Sequence, residues 1–82
     1  MRIEVLFFAA ARERAGTGAA TVTLPEGATL DDLIGALNTK HARLEPLWPH
    51  VRLAVDEAFV ADRKAPLRDG ATVALIPPVS GG

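Results

Sequence analysis

The sequence contains no cysteine, and this absence excludes two kinds of site. Without thiols the chain can form neither disulfide bridges nor thiolate metal centres. A chain of 82 residues buries only about 60% of the surface that it exposes when unfolded, so its stability depends on one apolar core. The hydrophobic fraction of 49%, against 23% charged residues, is typical of a globular domain and sufficient for such a core.

A strong net charge and long hydrophobic runs are also missing. The 9 basic and 10 acidic residues give a net charge of −1, which provides no electrostatic attraction to nucleic acid or to an anionic membrane. No stretch approaches the roughly 20 apolar residues that span a bilayer. The apolar run 5–11 is short for a signal peptide and follows the acidic Glu4, so we expect a cytoplasmic protein with neither nucleic acid nor membrane as a partner.

Familiar catalytic and metal-binding patterns are absent as well. Residues 16–18 (Gly-Thr-Gly) lack the third glycine of a dinucleotide loop and stand between a predicted helix and a strand, which is the reverse of the required order. His41 and His50 are not spaced as metal ligands, and Ser80 has no base near it in sequence. We therefore expect no metal site, no cofactor bound by the isolated chain and no catalysis by the chain alone.

Hydrophobic periodicity and turn residues divide the chain into short elements. The predicted strands are 2–8, 21–24, 51–55, 58–61 and 71–76, and the predicted helices are 9–15 and 30–44. Thr29 is a natural N-cap for the longer helix, with Asp32 in the capping-box position, and Pro46 is expected to end it. Asp56 and Glu57 are expected at the tip of a hairpin.

One main helix can cover only one face of a sheet, so the element order predicts an α+β fold. The architecture is that of a β-grasp, in which a mixed sheet of four or five strands packs on one main helix. We assign residues 1–76 to this domain and residues 77–82 to an extended tail that ends in Gly-Gly.

The tail has an unusual composition, because no charged side chain occurs from Gly70 to Gly82. Pro77 and Pro78 cannot donate ladder hydrogen bonds and stiffen the chain where it leaves the last strand. The 6 tail residues can extend about 20 Å, and the terminal carboxylate is ionised at neutral pH. Such a tail can thread a narrow channel and present its carboxylate to chemistry inside a partner.

Strand alternation places several large apolar side chains on the face opposite the main helix. If Ile3, Val5 and Phe7 point toward the helix, Phe8 points away from it. By the same alternation Phe59 and Ile76 point away. A contiguous apolar cluster marks an interface, but contiguity depends on a strand order that the sequence leaves open.

The chain resembles the small subunits of molybdopterin synthase, a family of ubiquitin-like sulfur carriers. The matching residues are 5–9 (VLFFA) with Arg12 and Glu13, 66–67 (PL) with 69–70 (DG), and 77–82 (PPVSGG). Length and element order match from end to end, and the PPVSGG ending is the most specific part.

This resemblance implies a function without catalysis by the chain itself. An ATP-dependent adenylating enzyme would convert the Gly82 carboxylate to an acyl-adenylate, and a sulfur donor would replace AMP to give a thiocarboxylate. The tail, including Gly81, would then enter the large catalytic subunit of a heterotetrameric synthase and give sulfur to cyclic pyranopterin monophosphate. The resemblance implies that the large subunit contacts Phe8, Phe59, Ile76, Pro77, Pro78 and Val79.

Other functions remain compatible with these residues. The chain could carry sulfur for thiamin, cysteine or tRNA thiolation, although thiamin carriers lack the FFA…RE segment found here. It could instead be a ubiquitin-like modifier joined to lysines through Gly82, or a binding module in which Gly-Gly is incidental. A carrier would form a free thiocarboxylate, a modifier would form isopeptide conjugates, and a binding module would form neither.

Overall fold

The computed structural model describes residues 1–78, in which five strands, two α-helices and one 3₁₀ helix follow one another along the chain. They are β1 (Arg2–Phe7), α1 (Ala9–Ala15), β2 (Ala19–Thr23), α2 (Leu30–Lys40), the 3₁₀ helix (Ala42–His50), β3 (Arg52–Val55), β4 (Ala58–Val60) and β5 (Thr72–Ile76). Among these residues no helix has both the length and the apolar composition needed to cross a membrane.

The five strands form one mixed sheet in the order β2-β1-β5-β3-β4. The first and last strands, β1 and β5, pair in parallel at its centre, whereas the other neighbouring strands pair in antiparallel fashion. The predicted α+β class and β-grasp architecture are therefore confirmed. The central pairing also brings the end of β1 beside the end of β5, where the tail begins.

The core lies between one face of the sheet, here called the inner face, and α2. The helix contributes Leu30, Leu33 and Leu37, each no more than 1% exposed. Full burial of such a side chain contributes roughly 1.5–3 kcal/mol relative to exposure. The sheet contributes side chains that are buried to the same degree or nearly so: Ile3, Val5, Phe7, Leu53, Val73 and Leu75.

The start of α2 agrees with the prediction, but its end does not. The Thr29 hydroxyl accepts a hydrogen bond from the Asp32 amide at 3.3 Å, and the Asp32 carboxylate accepts one from the Thr29 amide at 2.8 Å. The helix stops at Lys40 rather than at residue 44. The ring of Pro46 would clash with the carbonyl of Ala42 in a continuous α-helix, so the chain continues as a 3₁₀ helix. Within that segment Leu44 is still buried.

Every strand differs from its predicted range by one or two residues, at one end or at both. The second strand occupies Ala19–Thr23 rather than 21–24, because the Phe7 amide donates to the Gly18 carbonyl at 2.9 Å and pairing starts directly after that glycine. The first strand ends at Phe7, one residue early. As predicted, the hairpin between β3 and β4 turns at Asp56 and Glu57, whose φ angles are +48° and +72°.

Candidate partner-docking face and tail root

A groove of about 480 Å³ crosses the sheet face opposite α2, which is the outer face. Its floor is a row of four cross-strand partners that runs over β1, β5, β3 and β4: Leu6, Ala74, Ala54 and Phe59. The two alanines in the middle of the row leave the floor low between the larger side chains. We call this feature the outer groove.

The three predicted docking residues on the sheet all line the outer groove. Phe8 is 46% exposed and Phe59 is 58% exposed, while Ile76 is half-buried. Their placement agrees with strand alternation, and the observed strand order makes them contiguous. Their role in binding a partner stays a prediction.

The tail begins at one end of the outer groove. Ile76 is the last residue of β5 and lines the groove, Pro77 is buried against the domain, and Pro78 is exposed. A partner bound in the groove would therefore also lie beside the start of the tail. Val79, Gly81 and Gly82 lie outside the described residues, and the functions predicted for them stay predictions.

Sequence reasoning missed the polar residues around the groove. The Arg52 guanidinium lies 4.1 Å from the centroid of the Phe59 ring, in cation–π contact. Asp56, Glu57 and Thr72 line the opposite end. Alternation along β3 could have identified Arg52, since it occupies the same face as Ala54 two residues later.

The hairpin turn is held against the last strand by two hydrogen bonds. The Asp56 amide donates to the Thr72 carbonyl at 2.8 Å, and the Thr72 amide donates to Asp56 Oδ1 at 2.9 Å. These bonds fix the turn, and with it the backbone of Glu57, relative to the groove floor.

Nothing in residues 1–78 forms a metal-binding cluster of three or more His, Asp or Glu side chains. His41 packs edge-on against Phe7, with 5.8 Å between the ring centroids, and is thus part of the packing at the end of α2. His50 is exposed at the end of the 3₁₀ helix. Within this part of the chain, the outer groove and the tail root are adjacent and contain the predicted docking residues Phe8, Phe59 and Ile76.

Comparison with known proteins identifies the family. The ThiS family profile matches residues 5–82. A curated relative, the molybdopterin synthase sulfur carrier subunit of Chlamydomonas reinhardtii, is 39% identical over 83 residues, which cover all of both chains. The crystal structure of SAMP1 from Haloferax volcanii superposes with a TM-score of 0.91 at 29% identity, with all of both chains covered.

A third match was solved together with a partner subunit. The protein–protein complex of subunits 1 and 2 of the molybdopterin-converting factor from Helicobacter pylori contains a chain that matches at 26% identity and a TM-score of 0.75, over all of both chains. From the whole-length identity and the shared fold, we conclude that the chain belongs to the ThiS family and, within it, to the family of molybdopterin synthase sulfur carrier subunits.

Proposed function

We propose that this chain is the sulfur carrier subunit of a molybdopterin synthase. The observation that carries the proposal is the whole-length match to a curated sulfur carrier subunit at 39% identity. The PPVSGG ending and the outer groove beside the tail root supply the two features that such a carrier needs. One feature bears the sulfur, and the other binds the subunit that uses it.

The terminal carboxylate of Gly82 is the group on which sulfur is carried. A carboxylate oxygen attacks the α-phosphate of ATP in the adenylating enzyme, pyrophosphate leaves, and an acyl-adenylate forms. A hydrosulfide equivalent supplied by a donor then attacks the carbonyl carbon, AMP and the sulfur-bound proton leave, and the thiocarboxylate results. The chain has no cysteine that could bear the sulfur itself. Glycine has no Cβ, so both faces of the carbonyl are open to attack.

The large synthase subunit is the partner that binds the outer groove. The relative from Helicobacter pylori was solved as a complex of subunits 1 and 2, which supports a partner of this kind. Burial of Phe8 and Phe59 in that interface would remove two exposed aromatic side chains from water. The sulfur acceptor is cyclic pyranopterin monophosphate, and the assembly is a heterotetramer with two copies of each subunit.

Intact-mass measurement of the loaded chain tests the proposal. We expect incubation with the adenylating enzyme, ATP and a sulfur donor to raise the mass by the difference between sulfur and oxygen. The change should map to the last peptide, and a chain without Gly82 should show no change. Modification of an internal side chain instead would contradict the proposal.

Protein modification is a second candidate function, favoured by the likeness to a small archaeal modifier protein from Haloferax volcanii. A modifier uses the same activated Gly82, but a lysine amine rather than sulfur attacks the carbonyl. Immunoprecipitation from the native cell separates the two. A carrier yields the free chain with a thiocarboxylate, whereas a modifier yields isopeptide conjugates of higher mass.

A further inference from the structure

Carboxylates line one end of the outer groove, and a guanidinium lies just beyond the other end. At the tail end lies Arg52, which pairs with Ile76 across the strands and stacks on Phe59. At the other end, Asp56 and Glu57 line the groove at the turn between β3 and β4. Between the two ends the lining is mostly apolar, so an occupant meets a cation, an apolar floor and then carboxylates.

The two charged ends are far enough apart to act separately. Four residues along β3 lead from Arg52 to Asp56, which corresponds to about 13 Å at roughly 3.3 Å per residue. The Debye length at physiological ionic strength is about 8 Å. Each end therefore interacts mainly with the charge that a partner places directly opposite it.

Glu57 is the acidic side chain at this end that is free to bind a partner. Asp56 already uses Oδ1 to accept from the Thr72 amide, whereas the Glu57 side chain is exposed and has neither a hydrogen bond nor an ion pair within residues 1–78. Its φ of +72° lies in the left-handed region, where glycine is the favoured residue of such a hairpin. The chain thus has a charged side chain where glycine would fit the backbone better.

We propose that the charges at the two ends of the outer groove determine the orientation in which a partner segment binds along it. The occupant is a segment of the large synthase subunit with an apolar middle, a lysine or arginine opposite Glu57 and an aspartate or glutamate opposite Arg52. The reversed direction would juxtapose like charges at both ends, which disfavours it. Because the tail starts at the Arg52 end, a fixed direction of docking also fixes the side of the partner toward which the tail leaves. This inference rests on the proposed function, which supplies the identity of the partner.

A charge-swapped variant tests the direction without a change in net charge. Arg52→Glu combined with Glu57→Arg retains the groove-lining apolar residues. Titration of this variant with the large synthase subunit at low salt should show an affinity about a hundredfold lower than that of the wild type, which corresponds to about 2.7 kcal/mol. The matched control is Glu26→Arg combined with Arg43→Glu, two exposed residues outside the groove, and it should bind as the wild type does.

A second variant separates binding from folding. Glu57→Gly removes the carboxylate and relieves the left-handed backbone, so its melting temperature should rise by a few degrees while its affinity falls several-fold. That loss of affinity should shrink in high salt, since the Debye length falls to about 3 Å at about 1 M.

The possible outcomes are distinct. The inference about orientation is wrong if the swapped variant binds as tightly as the wild type, or if the control loses as much affinity as the swapped variant. In either case the proposed function stands. The same holds if Glu57→Gly binds as tightly as the wild type at low salt. If the wild type itself does not bind the large synthase subunit, the proposed function fails and the inference fails with it.

Discussion

Phe7 and Phe8 are adjacent in the chain, yet the sheet separates them onto opposite faces. Phe7 is 2% exposed within the core, and Phe8 is 46% exposed at the outer groove. Their side chains point in opposite directions because successive residues of an extended chain alternate between faces. Phe7 thus contributes to the core, and Phe8 is accessible for the partner binding proposed above.

This separation predicts that two matched substitutions affect different properties, one the stability of the domain and the other its affinity for the partner. Phe7→Ala should lower the free energy of unfolding by about 3–5 kcal/mol, because it leaves a cavity in the core. Phe8→Ala should change it by less than about 0.5 kcal/mol but weaken binding to the large synthase subunit. Urea unfolding and titration of both variants provide the measurements. Equal losses of stability would show that Phe8 also belongs to the core.

A charge introduced at Phe59, on the side of the outer groove formed by β4, should affect the complex and not the free domain. In the free chain Phe59→Arg places its charge in water, because Phe59 is 58% exposed. In the complex the same charge is buried without a partner, so the affinity should fall by about a hundredfold or more, or about 2.7 kcal/mol. Ala42→Arg, at an exposed position of the 3₁₀ helix, is the control that should bind normally. Unchanged binding by a folded Phe59→Arg variant would show that the groove is not the interface.

Changes in the last two residues should separate folding from sulfur loading. Deletion of Gly82, or Gly81→Val, should leave the melting temperature nearly unchanged, because terminal residues contribute little to stability. Sulfur loading by the adenylating enzyme should be lost, since the carboxylate is displaced or its approach is blocked. Thermal unfolding followed by intact-mass analysis checks both halves. A large fall in melting temperature would mean that these residues help to stabilise the domain.

The single tryptophan makes a polar contact that links the 3₁₀ helix to α2. Trp48 Nε1 donates to Asn38 Oδ1, and the Trp48 carbonyl accepts from Arg63 at 3.0 Å. Asn38→Leu leaves the buried indole N–H unsatisfied, so we expect a loss of about 1–3 kcal/mol in unfolding free energy. Circular dichroism during denaturant unfolding measures this loss in every variant, including those that lack the single tryptophan. The double variant Asn38→Leu with Trp48→Phe removes both partners and should lose less than the two single losses combined.

Local rules sufficed for the start of the main helix but not for its end. The capping box of Thr29 and Asp32 depends on neighbouring residues alone, and it forms as predicted. Leu44 continues the helical periodicity of α2, and this favoured a longer helix than the one observed. Periodicity records which residues are buried, and Leu44 is buried, but from a 3₁₀ helix that accommodates Pro46 and Pro49.

Three residues of the outer groove were predictable one by one, but their contiguity was not. Alternation places Phe8, Phe59 and Ile76 on one face, because it depends only on position within each strand. Ala54 lies between Phe59 and Ala74 because β3 pairs with both β4 and β5. Strand order arises from contacts distant in sequence, so no local pattern reveals it. The positive φ of Glu57 is likewise a property of the folded hairpin.

The parallel pair at the centre of the sheet also constrains how the chain can fold. β1 and β5 lie near opposite ends of the sequence. They are two of the three inner strands of the sheet, and β3 is the third. A nascent chain that has not yet added β5 has no central pair, and β1 and β3 are left with unpaired edges. Closure of so long a loop is slow compared with local contacts. Cooperative folding must therefore await the last strand, and the same event that completes the core positions the start of the tail.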